Sequence, residues 1–288
     1  MALAVDRPKP DGARDRCVTR SVPILMYHSI DRSSSPAFRS FVVSPDRFNE
    51  QMAVISSQGY QAVTVSDLVR SRRGGRALPP KPVVITFDDG FADFSRYALP
   101  VLSRYGLTAT LYLVTGAIGG QARWLAPEGE ADRRMLSWAE VREIAQAGIE
   151  CGAHTVTHPR LDALPRTQAA AEIRWSKATI EDRLGKECAT FAYPYGLYDP
   201  SLRRLVRRAG FTSACAVRYG VSGLADDLFA LRRLKVGPDT GGAALARLLE
   251  ASEHAHWRSV DFWRSLLYRH FRRVIMPVVR RTKQKGHA

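Results

Sequence analysis

Two adjacent carboxylates, Asp88 and Asp89, follow an apolar run at residues 83–87 and precede Gly90. Neighbouring like charges repel each other, so such a pair persists where a cation or a shared proton relieves the repulsion. Successive strand residues point to opposite sides, which lets one carboxylate bind a metal while the other reaches a different atom of the same site. The same residues also fit an ordinary turn, because Asp and Gly favour turns.

Two histidines, His154 and His158, follow another predicted strand at residues 149–153, and Pro159 disfavours helical geometry at His158. An HxxxH pair by itself is more often incidental than metal-binding. In a parallel barrel, however, the carboxyl ends of the strands open on one face, so the acids and the histidines can converge there. One Asp and two His are the ligands of an open zinc-type site with room for water and substrate.

Two further segments are predicted to end at the same face, residues 24–28 with His28 and residues 191–196 with Tyr193, Pro194 and Tyr195. Each has an ordinary structural explanation. A single His after an apolar strand is usually a hydrogen-bonded group near the surface, and Tyr-Pro-Tyr-Gly is usually a turn.

Short apolar runs alternate with amphipathic stretches from Val22 onward. This alternation predicts a parallel sheet with helical crossovers, and about seven such units closing on themselves would form a barrel. An open doubly wound sheet is the alternative. Strands are predicted at 22–27, 62–65, 83–87, 108–114, 149–153, 189–192, 212–217 and 230–236. Helices are predicted from Ser44-Pro45, at 92–105, from Ser137, at 167–184, from Asp199 to Gly210 and at 242–250, with a long loop at 116–136.

Three regions differ in composition. Residues 1–20 are rich in Pro, Arg and Asp and are predicted to be a disordered lead-in, and residues 21–252 are predicted to form the barrel domain. Residues 253–288 are predicted to form a basic amphipathic tail. Seven Arg and two Lys against the single acid Asp261 give residues 258–288 a net charge of +8 out of the chain's +15. The tail therefore has two interpretations, a helix on an anionic membrane or a helix packed on the barrel.

The composition of the 288 residues, 45% hydrophobic and 25% charged, indicates a globular protein. Four cysteines without a CxxC pair suggest neither a zinc ribbon nor a disulfide framework. No apolar run is long enough for a signal peptide or a membrane span, so the protein is expected in the cytoplasm, or peripherally on the inner face of the cell membrane. The Arg excess permits nucleic-acid binding, but no helix-turn-helix, RNP motif or zinc finger is present, and no nucleic acid is expected as a partner.

Taken in order, the motifs at residues 86–90, 154–158 and 191–196 resemble those of the polysaccharide deacetylases of carbohydrate esterase family 4. The resemblance covers roughly residues 22–240, and residues 24–28 are similar to the branch that contains poly-beta-1,6-N-acetylglucosamine deacetylases. It implies a distorted (β/α)7 TIM-like barrel and a carbohydrate N-deacetylase that uses a divalent metal. Zn2+ is the expected ion, with Co2+, Ni2+ or Mn2+ as alternatives.

The same resemblance implies a role for each motif residue. Asp89, His154 and His158 would hold the metal, Asp88 would be the catalytic base and His28 the general acid. Tyr193, Pro194 and Tyr195 would contact the substrate, with the backbone N–H of Tyr195 stabilising the oxyanion.

The third motif departs from the family at Ala192, where an Arg commonly orients the catalytic Asp. We hypothesise that Arg233, in the predicted strand at 230–236, supplies this charge instead. A late Leu-x-His motif of the family is also missing, which suits the assignment of the general acid to His28.

The predicted function is therefore removal of N-acetyl groups from N-acetylated sugars in polysaccharide or glycolipid biosynthesis, with a glycan precursor favoured as substrate. A deformylase or amidase on a lipid-linked amino sugar would use the same chemistry. A basic nucleic-acid-binding protein and a barrel that binds sugar without catalysis are the alternatives from other classes. The oligomeric state stays open.

Overall fold

The computed structural model describes residues 21–223 and 225–254. The predicted lead-in at 1–20 and all but the first two residues of the predicted tail at 253–288 lie outside these described residues. No helix of the described part is long and apolar enough to cross a membrane.

The described chain alternates strands and helices. The strands are β1 (Ile24–Tyr27), β2 (Ser29–Ile30), β3 (Val42–Val43), β4 (Gln61–Val63), β5 (Pro82–Phe87), β6 (Thr110–Leu113), β7 (Glu150–Ala153), β8 (Thr190–Ala192), β9 (Ser213–Tyr219) and β10 (Leu231–Lys235). The helices are α1 (Pro45–Ser57), α2 (Val65–Arg72), α3 (Leu99–Arg104), α4 (Trp138–Gln146), α5 (Arg166–Leu184), α6 (Pro200–Arg208) and α7 (Gly242–His254).

Seven strands close into a parallel barrel in the order β1, β5, β6, β7, β8, β9 and β10. Closure follows because β1 pairs with both β5 and β10, which confirms the predicted (β/α)7 barrel and excludes the open doubly wound sheet. Strand β4 pairs with the first half of β5 outside this ring, and β2 and β3 form a separate pair.

Helix starts follow the expected capping chemistry. The Ser44 hydroxyl accepts from the backbone N–H of Arg47 at the start of α1, and a capping box between Ser137 and Glu140 opens α4. Both starts agree with the predictions from sequence, as do the bounds of α5 and α6 to within two residues.

The prediction of a strand at 62–65 was wrong in its second half. Strand β4 ends at Val63, and Thr64 forms a capping box with Asp67 that opens the short helix α2. The alternating apolar residues suggested a strand, but the capping box supplied the local hydrogen bonds for a helix.

The predicted helix at 92–105 is interrupted. A π-helical segment, Phe94–Ala98, precedes α3, and Pro100 lies in the first turn of α3. Because proline has no N–H, it cannot donate to the carbonyl four residues earlier, so a regular α-helix cannot continue through this point.

Two clusters of apolar side chains stabilise the barrel. The larger lies between the barrel wall and the surrounding helices. The smaller lies inside the amino-terminal half of the barrel, where Val65, Leu68 and Val69 of α2 pack against Ile24 and Leu231. Helix α2 therefore closes the amino-terminal end of the barrel, and the opposite end is left for the chemistry.

Candidate active site

The candidate catalytic side chains lie at the carboxyl ends of the barrel strands. His28 follows β1, Asp88 and Asp89 follow β5, and His154 follows β7. Since all barrel strands run in the same direction, residues far apart in sequence meet at one mouth.

Asp89, His154 and His158 form a cluster of the kind that binds metal ions. Asp89 Oδ1 lies 3.5 Å from His154 Nε2 and 3.3 Å from His158 Nε2, and one ligand atom from each residue lies within 4.8 Å of the others. All three residues are buried, yet Asp89 Oδ1 makes no hydrogen bond within the described residues. A buried carboxylate oxygen without a hydrogen bond is costly, and a divalent cation among these atoms would relieve that cost.

The electrostatics fit the same interpretation. Burial lowers the pKa of both His154 and His158, so each imidazole is neutral and offers a lone pair. Burial and the neighbouring Asp88 raise the pKa of Asp89 well above its usual value. Charge on this carboxylate is therefore disfavoured until a cation compensates it.

Hydrogen bonding orients one of the ligands. His154 Nδ1 donates to the backbone carbonyl of Ala192 at 2.8 Å, since a carbonyl can only accept. The lone pair of His154 therefore lies on Nε2, the atom that faces Asp89, and Nδ1–H anchors the ring from behind.

The backbone around the cluster is strained. Asp89, Thr155 and His158 have φ angles of 79°, 68° and 59°, in the left-handed region that these residues rarely adopt. Gly90 follows with φ 84°, and a Cβ there would lie 2.9 Å from the side chain of Leu113. Strain of this kind concentrates at functional sites and persists only where the surrounding structure enforces it.

Aromatic rings flank His158 on two sides. The ring centroid of Trp124 lies 5.1 Å away and that of Tyr195 4.8 Å away. Tyr195, with φ 58°, is 48% exposed and presents its ring to solvent at the mouth. Trp124 lies in the predicted loop at 116–136, and nothing in its spacing from the motifs indicated its place beside a histidine.

Asp88, the neighbour of Asp89 in sequence, pairs with Arg233. Arg233 Nη1 and Nη2 donate to Asp88 Oδ1 and Oδ2 at 2.6 and 2.7 Å, and Nη1 lies 3.3 Å from Thr86 Oγ1. Burial alone would raise the pKa of Asp88, but the charge and hydrogen bonds of Arg233 outweigh it and hold that pKa well below its usual value. The structure thus places Arg233 on Asp88, where the sequence hypothesis put it, and leaves Ala192 as a small buried side chain.

His28 lies on the other side of Asp88. Its Nε2 is 4.0 Å from Asp88 Oδ2, and its side chain is 15% exposed. Burial lowers the pKa of His28 to about 3; the Asp88 charge opposes this shift, and Lys235 and Arg233 add to it. The imidazole is therefore neutral before substrate binds.

Lys235 is a further polar residue of the mouth that sequence reasoning missed. Its Nζ lies 3.8 Å from the ring centroid of Phe41, and the Phe41 ring meets His28 edge to face at 4.9 Å. Alternation along β10 puts Lys235 on the same strand face as Arg233, two residues earlier, and that spacing was the available signal.

The tyrosine motif is split between core and surface. Tyr193 is fully buried and its hydroxyl donates to the carbonyl of Phe229 at 3.1 Å, while Pro194 is also buried. This differs from the prediction that Tyr193 and Pro194 contact substrate, because core packing occupies both side chains. Only Tyr195 of the motif presents its side chain to solvent. A Cβ on Gly196 would lie 2.2 Å from Val217, so only glycine fits beside β9.

Comparison with known proteins agrees with this geometry. Residues 75–214 match the sequence pattern of the family described as polysaccharide deacetylase. The chain therefore contains a polysaccharide deacetylase domain. This domain makes the protein a carbohydrate deacetylase, a hydrolase.

Two curated relatives cover most of the chain. The chain is 29% identical over 230 residues to the Bacillus subtilis protein YxkH, covering 80% of this chain and 76% of the relative. It is 27% identical over 237 residues to a poly-beta-1,6-N-acetyl-D-glucosamine N-deacetylase of Staphylococcus aureus, covering 77% and 73%.

Two solved structures share the barrel. The Streptococcus pyogenes deacetylase PplD, solved in complex with acetate, superimposes with a TM-score of 0.70 at 28% identity, covering 80% of this chain and 98% of that one. IcaB from Ammonifex degensii superimposes with a TM-score of 0.70 at 26% identity, covering 81% and 98%.

Proposed function

We propose that this protein is a metal-dependent N-deacetylase that removes acetyl groups from N-acetylated sugars of a glycan. The observation that carries the proposal is the presence of two groups of side chains at one mouth, the buried Asp89, His154 and His158 cluster and the Asp88–Arg233 pair, which are joined through the adjacent residues Asp88 and Asp89. The cluster offers ligands for a cation, and the Asp88–Arg233 pair offers an ionised base.

Asp89, His154 and His158 would hold the ion, for which Zn2+ is our first choice because two imidazoles and one carboxylate suit it. When bound, a divalent cation supplies Lewis acidity that lowers the pKa of water and polarises the acetyl carbonyl.

Asp88 is the proposed base that accepts a proton from the attacking water. Arg233 keeps this carboxylate ionised at neutral pH and fixes both oxygens through its two N–H groups. A carboxylate that is fully charged and immobile is ready to accept the proton without rearrangement.

His28 is the proposed donor to the leaving amine. Because it is neutral before substrate binds, it needs a proton during the reaction, and Asp88 Oδ2 lies 4.0 Å from its Nε2. The proton taken from water can pass from Asp88 to His28 and then to the amine nitrogen. The backbone N–H of Tyr195, at the mouth, is the proposed hydrogen-bond donor to the oxyanion.

The substrate class is proposed from the relatives and from the mouth itself. A Staphylococcus aureus relative is named for poly-beta-1,6-N-acetyl-D-glucosamine, and the exposed ring of Tyr195 offers an apolar face of the kind that sugars stack on. N-acetylated amino sugars in polysaccharide or glycolipid assembly are therefore the compounds to test.

We place the enzyme at the inner face of the cell membrane. The support is the net charge of +8 in residues 258–288, since each basic residue near an anionic surface adds about 1 kcal/mol of attraction. Flotation of the chain with and without residues 257–288 on vesicles that contain phosphatidylglycerol tests this placement, and equal flotation of both would contradict it.

The catalytic proposal is tested by acetate release from free, nucleotide-linked, lipid-linked and polymeric N-acetyl sugars, with and without chelator. Asp89→Asn and His154→Ala should lose bound metal and lower turnover by about 10⁴-fold or more, because both water activation and oxyanion stabilisation are lost. His28→Ala should keep the metal and lower turnover roughly 10²–10⁴-fold. Chelator-resistant hydrolysis, or full activity of His154→Ala, would reject the proposal.

A further inference from the structure

The amino-terminal end of the barrel, opposite the active site, and the adjoining outer face of α6 carry a basic surface. We define this basic end surface by five exposed arginines. They are Arg73, Arg76, Arg204, Arg207 and Arg208.

Two helices bring these residues together. Helix α2 closes the amino-terminal end of the barrel, and Arg73 and Arg76 follow it. Helix α6 ends at Arg208, shortly before β9 begins at the same end. Arg73 Nη2 donates to the carbonyl of Thr212 at 2.9 Å, which ties the end of α2 to the start of β9.

The charges of this surface are not neutralised locally. The nearest acids already have other partners: Asp227 pairs with Arg203, and Asp226 pairs with Arg232. Among the described residues, none of the five arginines of the surface forms an ion pair.

Favourable interaction with a helix dipole explains the positions of only some of these five arginines. Arg207 and Arg208 lie in the last turn of α6, where a cation is stabilised by the carbonyl end of the helix. Arg76 lies beyond the end of α2, and Arg204 lies in the middle of α6, so neither gains from such a position.

A pocket of about 370 Å³ lies within this surface. Arg73 and Arg207 flank it, and Phe211, Leu228 and Phe229 provide an apolar floor. Thr212 and Asp227, the latter paired with Arg203, complete the lining. Two guanidinium groups above apolar side chains suit a phosphate group attached to a less polar body.

The chain leaves the described structure at the same end. The backbone N–H of Gly242 donates to Glu50 Oε1 at 2.8 Å, so α7 begins beside the middle of α1. Helix α7 follows the carboxyl end of β10 and packs on α1, so it runs back toward the amino-terminal ends of the strands. The basic residues 258–288 therefore follow a helix that ends at the basic end surface.

We propose that the basic end surface is a docking surface for an anionic phospholipid bilayer, with the active-site mouth directed away from the membrane. The inference deepens the membrane placement proposed above and concerns the barrel itself. Duplex nucleic acid fits less well, because Phe211 and Phe229 are buried and cannot stack on bases, whereas the tail sequence spaces Trp263, Leu267 and Phe271 as an amphipathic helix would.

The test uses the full chain and three arginines that make no hydrogen bond or ion pair within the described residues. Arg76→Gln, Arg204→Gln and Arg208→Gln are combined in one variant. Binding to phosphatidylcholine vesicles with and without phosphatidylglycerol is measured by flotation. We expect partitioning onto the anionic vesicles to fall on the order of a hundredfold, which is about fivefold per arginine.

A matched control removes the same charge elsewhere. Arg96→Gln, Arg142→Gln and Arg174→Gln are exposed residues outside this surface, and this variant should bind nearly as well as the unchanged chain. Both variants should keep deacetylase activity on a soluble substrate, which shows that the fold and the catalytic site are intact.

Three outcomes would overturn the inference. They are absence of binding by the unchanged chain, equal losses in the two triple variants, and a selective loss of duplex DNA binding with vesicle binding unaffected. If deleting residues 257–288 lowers flotation while the Arg76, Arg204 and Arg208 variant behaves like its control, the tail placement stands and the barrel surface fails.

Discussion

Two arginines with buried side chains lie near the mouth, and they differ in the number of carboxylates that each guanidinium contacts. Arg233, fully buried in the barrel, contacts one carboxylate, Asp88. Arg133, whose side chain is 7% exposed, contacts three, with distances of 3.0 Å to Asp31, 3.3 Å to Asp93 and 2.9 Å to Glu130.

The difference appears in the pKa values of their partners. Arg233 compensates a single negative charge, so the pKa of Asp88 stays well below its usual value despite burial. Around Arg133, burial raises the pKa of Asp93 to about 7; Arg133 opposes this shift and Asp31 adds to it. Arg233 thus keeps a carboxylate ionised, and Arg133 joins three segments of the chain through Asp31, Asp93 and Glu130.

Among the residues of this comparison, Arg233→Met has the largest expected effect. Removing the guanidinium leaves Asp88 buried without a counter-charge, so we expect turnover to fall about 10²–10³-fold and unfolding free energy to fall by about 3–5 kcal/mol. Kinetics and denaturant unfolding measure the two effects. Arg233→Lys keeps the positive charge but cannot form the bidentate hydrogen bonds to the carboxylate. Its turnover and its unfolding free energy should therefore lie between those of the unchanged protein and those of Arg233→Met. Unchanged turnover in Arg233→Met would remove Arg233 from the mechanism.

Arg133→Met should change stability more than chemistry. We expect the unfolding free energy to fall by about 1–3 kcal/mol, because Arg133 donates hydrogen bonds to several acceptors. Turnover should change by less than about tenfold, since Arg133 contacts none of the proposed reacting groups. If Arg133→Met lowered turnover as much as Arg233→Met does, Arg133 would also have a role in catalysis, which would contradict the comparison.

Lys235 extends the comparison to a cation without a carboxylate partner in the described part of the chain. Burial lowers its pKa from 10.5 to about 8. A base with a lowered pKa in the folded state destabilises that state at pH values below the lowered pKa. Lys235→Met should therefore raise unfolding free energy by about 1–2 kcal/mol at pH 7 and by less near pH 10.5. The exposed control Lys186→Met should show no such pH-dependent gain.

Asp93 is tested through the pH dependence of the unfolding free energy. Its pKa is about 7 in the folded protein against 3.8 when unperturbed, so its contribution to stability is complete below about pH 4 and is lost as the pH rises through 7. Asp93→Asn should flatten the dependence of unfolding free energy on pH between 4 and 7. An unchanged slope would show that Asp93 is ionised and that Arg133 compensates all three acids.

The part of the site that is formed by short sequence motifs could be predicted from the sequence. Asp88, Asp89, His154 and His158 each follow an apolar strand, and parallel strand ends share one face, so their convergence followed from the pattern. The sequence contained no comparable signal for the residues that surround these four side chains. Trp124 and Phe41 lie in short 3₁₀ helices, and their positions beside the histidines depend on tertiary contacts. The side chain of Tyr193 is buried in the core.

The fold shows the same division. Local signals such as the Ser137–Glu140 capping box determined where helices begin, and strand alternation determined a parallel barrel. The sequence did not predict that α2 closes the amino-terminal end of the barrel. Its eight residues form a periodic pattern too short to distinguish a helix from a strand.

Residue types and their order alone determined the parallel architecture, the candidate metal ligands and the family resemblance, since these depend on periodicity and on short segments at strand ends. Only the tertiary structure decided that Arg233 reaches Asp88 across 145 residues of sequence and that five arginines gather at the opposite end of the barrel. Such contacts depend on the closure and register of the strands, and no local interaction along the chain encodes them.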